Sequence, residues 1–152
     1  MRIPRLGLFR YLLPLFAILL LWSCGDVSAP PGSTITIEPS SLTIENSLPT
    51  TETSTQYYTV SVVDEDGNPV GNVKLSISFI WASPSPYNLV QLYKGDVPVD
   101  SPFEATTDEF GAYTFRLDFI SGGGYEYKGD VEVRSGAAFA SSTLEVTTGS
   151  SQ

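Results

Sequence analysis

From Thr34 onward the chain alternates apolar and polar residues with a period of two. Ile35 and Ile37 share one side of a first run, and Leu42 and Ile44 repeat the pattern beyond Pro39-Ser40. Tyr58, Val60 and Val62 alternate with Thr59 and Ser61. The cleanest run sets Val73, Leu75, Ile77, Phe79 and Trp81 against Lys74, Ser76 and Ser78. A weaker one covers Leu89 to Tyr93. Tyr113, Phe115, Leu117 and Phe119 form another, followed by Tyr125, Tyr127, Val131 and Val133, and finally by Leu144 and Val146. Successive side chains of a strand point to opposite faces, so each run predicts a strand with one dry and one wet side. Antiparallel sheets tolerate that arrangement. About seven such strands with turns between them predict an all-β fold, an antiparallel β-sandwich. Residues 46–55 are mostly Thr, Ser, Glu and Pro and read as a polar loop. Phe79, Trp81, Tyr113, Phe115 and Phe119 fall on inward positions and predict a core large enough to need no disulfide.

Two acidic turns precede strong strands. Asp64-Glu65-Asp66-Gly67-Asn68-Pro69-Val70 offers Gly67 for a positive φ and Asp66 to bond backbone amides. Thr106-Thr107-Asp108-Glu109-Phe110-Gly111-Ala112 does the same before Tyr113. On these turns, with Phe115, residues 34–148 resemble the bacterial Ig-like domains of the intimin and invasin type. That resemblance implies an Ig-like sandwich serving as an adhesion or structural module. Transthyretin-like domains of the carboxypeptidase-regulatory kind carry a similar pair of turns and remain the alternative, also a β-sandwich. The proline-rich segment 82–88 and the run Gly122-Gly123-Gly124 depart from the Ig-like pattern.

The first residues follow another logic. Arg2, Arg5 and Arg10 precede an almost wholly apolar run from Tyr11 to Trp22, the charged-then-apolar order of a secretory leader. Twelve residues at about 1.5 Å each fall short of the ~30 Å hydrocarbon layer. Leu21, Ser23 and Cys24 then resemble the lipobox of bacterial lipoproteins, with leucine at minus three, a small residue at minus one and the obligatory cysteine. The resemblance implies cleavage after residue 23, lipidation of Cys24 and acylation of the new amine. Cys24 is the sole cysteine, so no intramolecular disulfide competes for it. Gly25, rather than Asp, follows the cysteine, which in that family favours the outer membrane over the inner. Residues 24–33 read as the lipidated end and a semi-extended Pro/Gly/Ser tether, and 149–152 as a disordered tail.

Composition narrows the chemistry. The chain has 8 Lys+Arg against 17 Asp+Glu and no histidine. Losing the three leader arginines leaves five basic residues, a balance that excludes nucleic acid as a partner. Without histidine there is no His-based acid–base pair, triad or imidazole metal ligand, and with Cys24 lipidated there is no thiol nucleophile. Asp64, Asp66 and Asp108, with Glu65 and Glu109, are candidate calcium ligands, but the EF-hand spacing is absent and turn formation explains them first. Carboxylate-only hydrolysis ranks last, because no cleft-forming insertion is visible. Tyr87, Tyr93, Tyr125 and Tyr127 are candidates for an aromatic patch, and Pro84, Pro86, Pro98 and Pro102 for edge protection. No cofactor is expected. The expected protein is lipid-anchored in the cell envelope through Cys24. Its non-catalytic domain docks another envelope protein or a glycan, or spaces a transport or secretion complex.

Overall fold

The computed structural model describes residues 27–83 and 88–149, so Leu21, Ser23, Cys24, Pro84, Pro86, Tyr87 and most of the tail lie outside the described residues. The described chain is all β. Its strands are β1 (Thr34–Glu38), β2 (Ser41–Glu45), β3 (Thr51–Val63), β4 (Lys74–Trp81), β5 (Val90–Lys94), β6 (Val97–Val99), β7 (Phe103–Thr106), β8 (Ala112–Gly122), β9 (Tyr127–Ser135) and β10 (Ala138–Thr147). They form two five-stranded sheets, ordered β1-β3-β8-β5-β6 and β2-β10-β9-β4-β7. The alternating apolar positions of both sheets face each other. Tyr58, Val60, Leu75, Ile77, Phe115, Leu117, Val131, Val133 and Leu144 are all buried between them. Within this order, β1-β3-β8-β5 lies against β4-β9-β10, the arrangement of the ABED and CFG sheets of an immunoglobulin-like sandwich.

Three expectations are corrected. Ten strands replace about seven, because β6 and β7 have 3 and 4 residues and are too short to show a period. Pro98 sits on β6 at the end of its sheet, where a missing N–H costs no ladder bond. Secondly, β3 begins at Thr51, inside the segment expected to be a loop. Thr51 to Gln56 pair with Gly122 to Leu117, so the ladder satisfies the backbone, and the three threonines among them are good strand formers without an apolar face. Thirdly, one ladder is parallel. β1 and β2 run in the same direction, and Pro39-Ser40 hands the chain from one sheet to the other. β2 therefore lies beside β10 in parallel, with Leu42 opposite Leu144 and Ile44 opposite Val146.

Aromatic packing fixes the middle. Phe115 stacks on Tyr58 at 5.4 Å, and Phe79 meets Trp81 edge-on at 4.9 Å. Of the expected core aromatics, Phe79, Phe115 and Phe119 are buried, while Trp81 and Tyr113 pack half-exposed against the cluster. Gly129 on β9 makes room for the Phe79 ring, whose Cε1 would stand 2.7 Å from an added Cβ. At the β8–β9 corner the Tyr127 hydroxyl donates to the carbonyl of Ile120 at 2.6 Å. This is the tyrosine-corner arrangement of Ig-like sandwiches, in which a tyrosine near the start of strand F bonds back to the preceding strand. Burial raises the Tyr127 pKa, so the phenol stays protonated and keeps donating.

The register defines two poles. Thr34, Val63, Lys74, Ala112 and the β9–β10 turn gather at one. Thr51, Trp81, Gly122, Tyr127 and Thr147 gather at the other. The 13 residues of β3 run between them, about 40 Å at roughly 3.3 Å per residue. The segment expected to be a free tether is docked from Val27 onward. Val27 bridges Val73 in parallel, and its carbonyl accepts from Lys74 N at 2.9 Å. Ala29 is 7% exposed and donates its N–H to Ser135 Oγ at 2.9 Å. The backbone of this stretch finds partners at the pole, which a solvated tether would not require.

Candidate functional site

The two acidic turns share the pole where the chain enters the fold. Asp64 accepts at Oδ1 from the N–H groups of Asp66 and Asn68, at 3.0 and 2.8 Å, and from the Asn68 amide. Asp108 accepts at Oδ1 from Phe110 N and Ala112 N, at 2.9 and 2.8 Å. Each turn is also closed by its glycine, Gly67 N to Asp64 O and Gly111 N to Asp108 O, both 3.1 Å. The turns interlock, since Val62 N donates to Gly111 O at 2.9 Å and the Gly71 backbone lies against Asp108 O. The hydrogen bonds from Asn68 hold the Asp64 carboxyl below its ordinary range. Thus Asp64 and Asp108 spend these acceptors on their own turns, while Glu65, Asp66 and Glu109 are exposed. Among the described residues no three acidic side chains gather as a metal-holding set.

The tyrosines divide. Tyr127 is committed to the corner and touches Trp81 edge-on at 5.6 Å. Tyr93 lies two strands from Tyr57, with Arg116 of β8 paired to both. The Arg116 guanidinium sits 3.8 Å from the Tyr93 ring centroid and reaches Asp118 at 3.3 Å. Tyr57, which the sequence did not single out, is exposed at the end of this row. Its cross-strand position could have been found only once β3, β8 and β5 were known to be neighbours.

Two concavities flank the start of β5. One, ≈ 170 Å³, lies between the sheets and is lined by Phe79, Trp81, Asn88, Gln91 and Asp100 among others. The second, ≈ 150 Å³, is open on the outer face and includes Thr53, Tyr93 and Asp118. They share Asn88, Val90 and Gln91. The Gln91 amide is held in place by the carbonyls of Leu92 and Val99, both at 2.9 Å. Aromatic rings beside amides and carboxylates suit a ligand with apolar ring faces and many hydroxyls. None of these residues was singled out as a site by the sequence except Tyr93. Asn88, Gln91 and Asp100 lie on different segments and meet only in the folded edge.

No family model and no curated protein matches the chain. Among solved structures, the PapD-like domain 7 of human CEP192 is similar at 14% identity and TM-score 0.44, covering 84% of this chain and 94% of that one. The Yersinia pseudotuberculosis adhesin InvE is similar at 18% identity and TM-score 0.41, covering 80% of this chain and 28% of the adhesin. A conjugative transposon lipoprotein from Bacteroides eggerthii matches at 12% identity and TM-score 0.41, covering 80% of this chain and all of that one. At these values the likenesses carry no argument about function. The Ig-like sandwich rests on the strand order itself. Among the described residues no helix is long and apolar enough to cross a membrane.

Proposed function

We propose that this is a lipid-anchored cell-envelope protein whose Ig-like domain is a non-catalytic binding module, held by Cys24 and probing its surroundings with the β5 edge. One observation carries the reading. The edge brings Trp81, Asn88, Gln91 and Asp100 around a single concavity, away from the pole where the chain enters. The favoured partner is a glycan, because an aromatic ring offers a stacking surface and the neighbouring amide and carboxylate groups match hydroxyls. An envelope protein is the other partner class. The outer membrane is the proposed location, on the strength of Gly25 following the lipobox.

The anchor is tested by Cys24→Ser, which leaves an unlipidated, uncleaved precursor; lipid labelling of that variant at the normal level would refute it. The binding site is tested by adding envelope glycans to the detergent-solubilised full chain. Asn88→Ala with Asp100→Ala should weaken capture at least roughly tenfold, the loss of two hydrogen bonds at ~1 kcal/mol each. Capture unaffected by that pair refutes the β5 edge, and recovery of one stoichiometric protein complex instead of glycan selects the other partner class.

A further inference from the structure

We propose that the pole bearing Val27 and Phe110 is itself a membrane-contact surface, seated on a zwitterionic lipid headgroup layer. The inference rests on the lipid anchor at Cys24 and goes beyond it by fixing which end of the sandwich meets the bilayer. Val27 is bound into the fold through Val73 and Lys74, so only Gly25 and Asp26 separate the lipidated residue from a rigid body. Three Cα–Cα steps span at most about 10 Å. A domain about 40 Å long cannot turn freely on so short a connection, and the pole around Val27 must face the surface that holds the acyl chains.

That pole carries an unusual tip. Phe110 is 71% exposed, the highest value among the large exposed hydrophobics, and Val27 is 57% exposed. They belong to neighbouring segments, for Thr107 N donates to Val73 O while Val73 bridges Val27. The Phe110 backbone is fixed by Asp108, so the ring projects from a turn that does not have to be ordered on contact. An aromatic side chain is suited to the boundary between headgroups and acyl chains. The charge around it sets the lipid class. Glu65, Asp66 and Glu109 are exposed at the same pole, and an anionic leaflet would repel them. A zwitterionic layer imposes no such repulsion.

The sole cysteine being consumed by the thioether, an introduced cysteine is a unique free thiol. The full lipidated chain carrying Phe110→Cys, labelled with an environment-sensitive fluorophore, is placed in phosphatidylcholine vesicles. A blue shift with quenching by brominated lipid is expected at position 110 and neither at Leu48→Cys, an exposed site at the opposite pole. Both effects should diminish in phosphatidylglycerol vesicles, and also when twelve Gly/Ser residues are inserted between Asp26 and Val27. Equal solvation at 110 and 48 overturns the proposal, as does a signal unchanged by the insertion. Failure of the protein to float with the vesicles is read first and refutes the anchor rather than the orientation.

Discussion

Gly67 and Gly111 occupy equivalent places in the twin acidic turns, with φ of 85° and 74°. An added Cβ at Gly67 meets nothing within 4 Å, whereas at Gly111 it would stand 2.6 Å from the Val62 carbonyl. Gly67→Ala therefore carries only the left-handed backbone cost, about 1 kcal/mol, and Gly111→Ala substantially more, about 3 kcal/mol; urea unfolding of both variants measures the difference. Asp64 gives the same pole a pH dependence. Its folded pKa lies below its unfolded value, so it contributes stability above about pH 4 and loses it as pH falls through the folded value. Asp64→Asn keeps a side-chain acceptor without a titrating proton. Acid unfolding of that variant should begin at lower pH relative to its own neutral-pH stability. Half-buried Tyr127 and buried Tyr58 differ in sign. Tyr127→Phe strands the Ile120 carbonyl and should cost about 1–2 kcal/mol. The Tyr58 hydroxyl faces Ser142 but has no hydrogen-bond partner among the described residues, so Tyr58→Phe should change stability by less than about 0.5 kcal/mol or increase it.

Among the elements, legibility follows burial. β1, β4, β8 and β9 each place one face in the core, and their apolar period announced them along with the sandwich they build. The polar start of β3 leaves no period because Thr51 to Gln56 bury no side chain fully, although Leu117 and Phe119 on the half of β8 they pair with lie in the core. β6 and β7 are single short pairings on sheet edges, set by register and not by composition. The parallel placement of β2 was invisible for another reason: Leu42 and Ile44 look the same whichever sheet receives them. Site residues split likewise. The Asp-x-x-Gly turns were readable because their chemistry is local, although in the first of them Asp64, and not Asp66, performs the capping. The β5 concavities gather residues from distant segments and leave no local trace. A core substitution tests the element-level account: Leu117→Ala, at the centre of β8 with no exposure, should cost about 2–5 kcal/mol by denaturant titration.

For the molecule as a whole, the two poles are distinct surfaces. The chain enters beside the acidic turns, and the β5 concavities stand off to the side, so the two occupy separate surfaces. β10, like β2, runs from the entering pole toward the far one, where Thr147 ends it. A load drawn between Cys24 and Thr148 would therefore pull β2 and β10 along their common axis in opposite senses. Their parallel ladder would resist as one block in shear, whereas pulling the β9–β10 hairpin apart at its open end would break its bonds one pair at a time. Single-molecule extension through residues 24 and 148 should need a higher rupture force than extension through 127 and 147. A tie of this kind lets a small domain stay folded while its two ends are drawn apart.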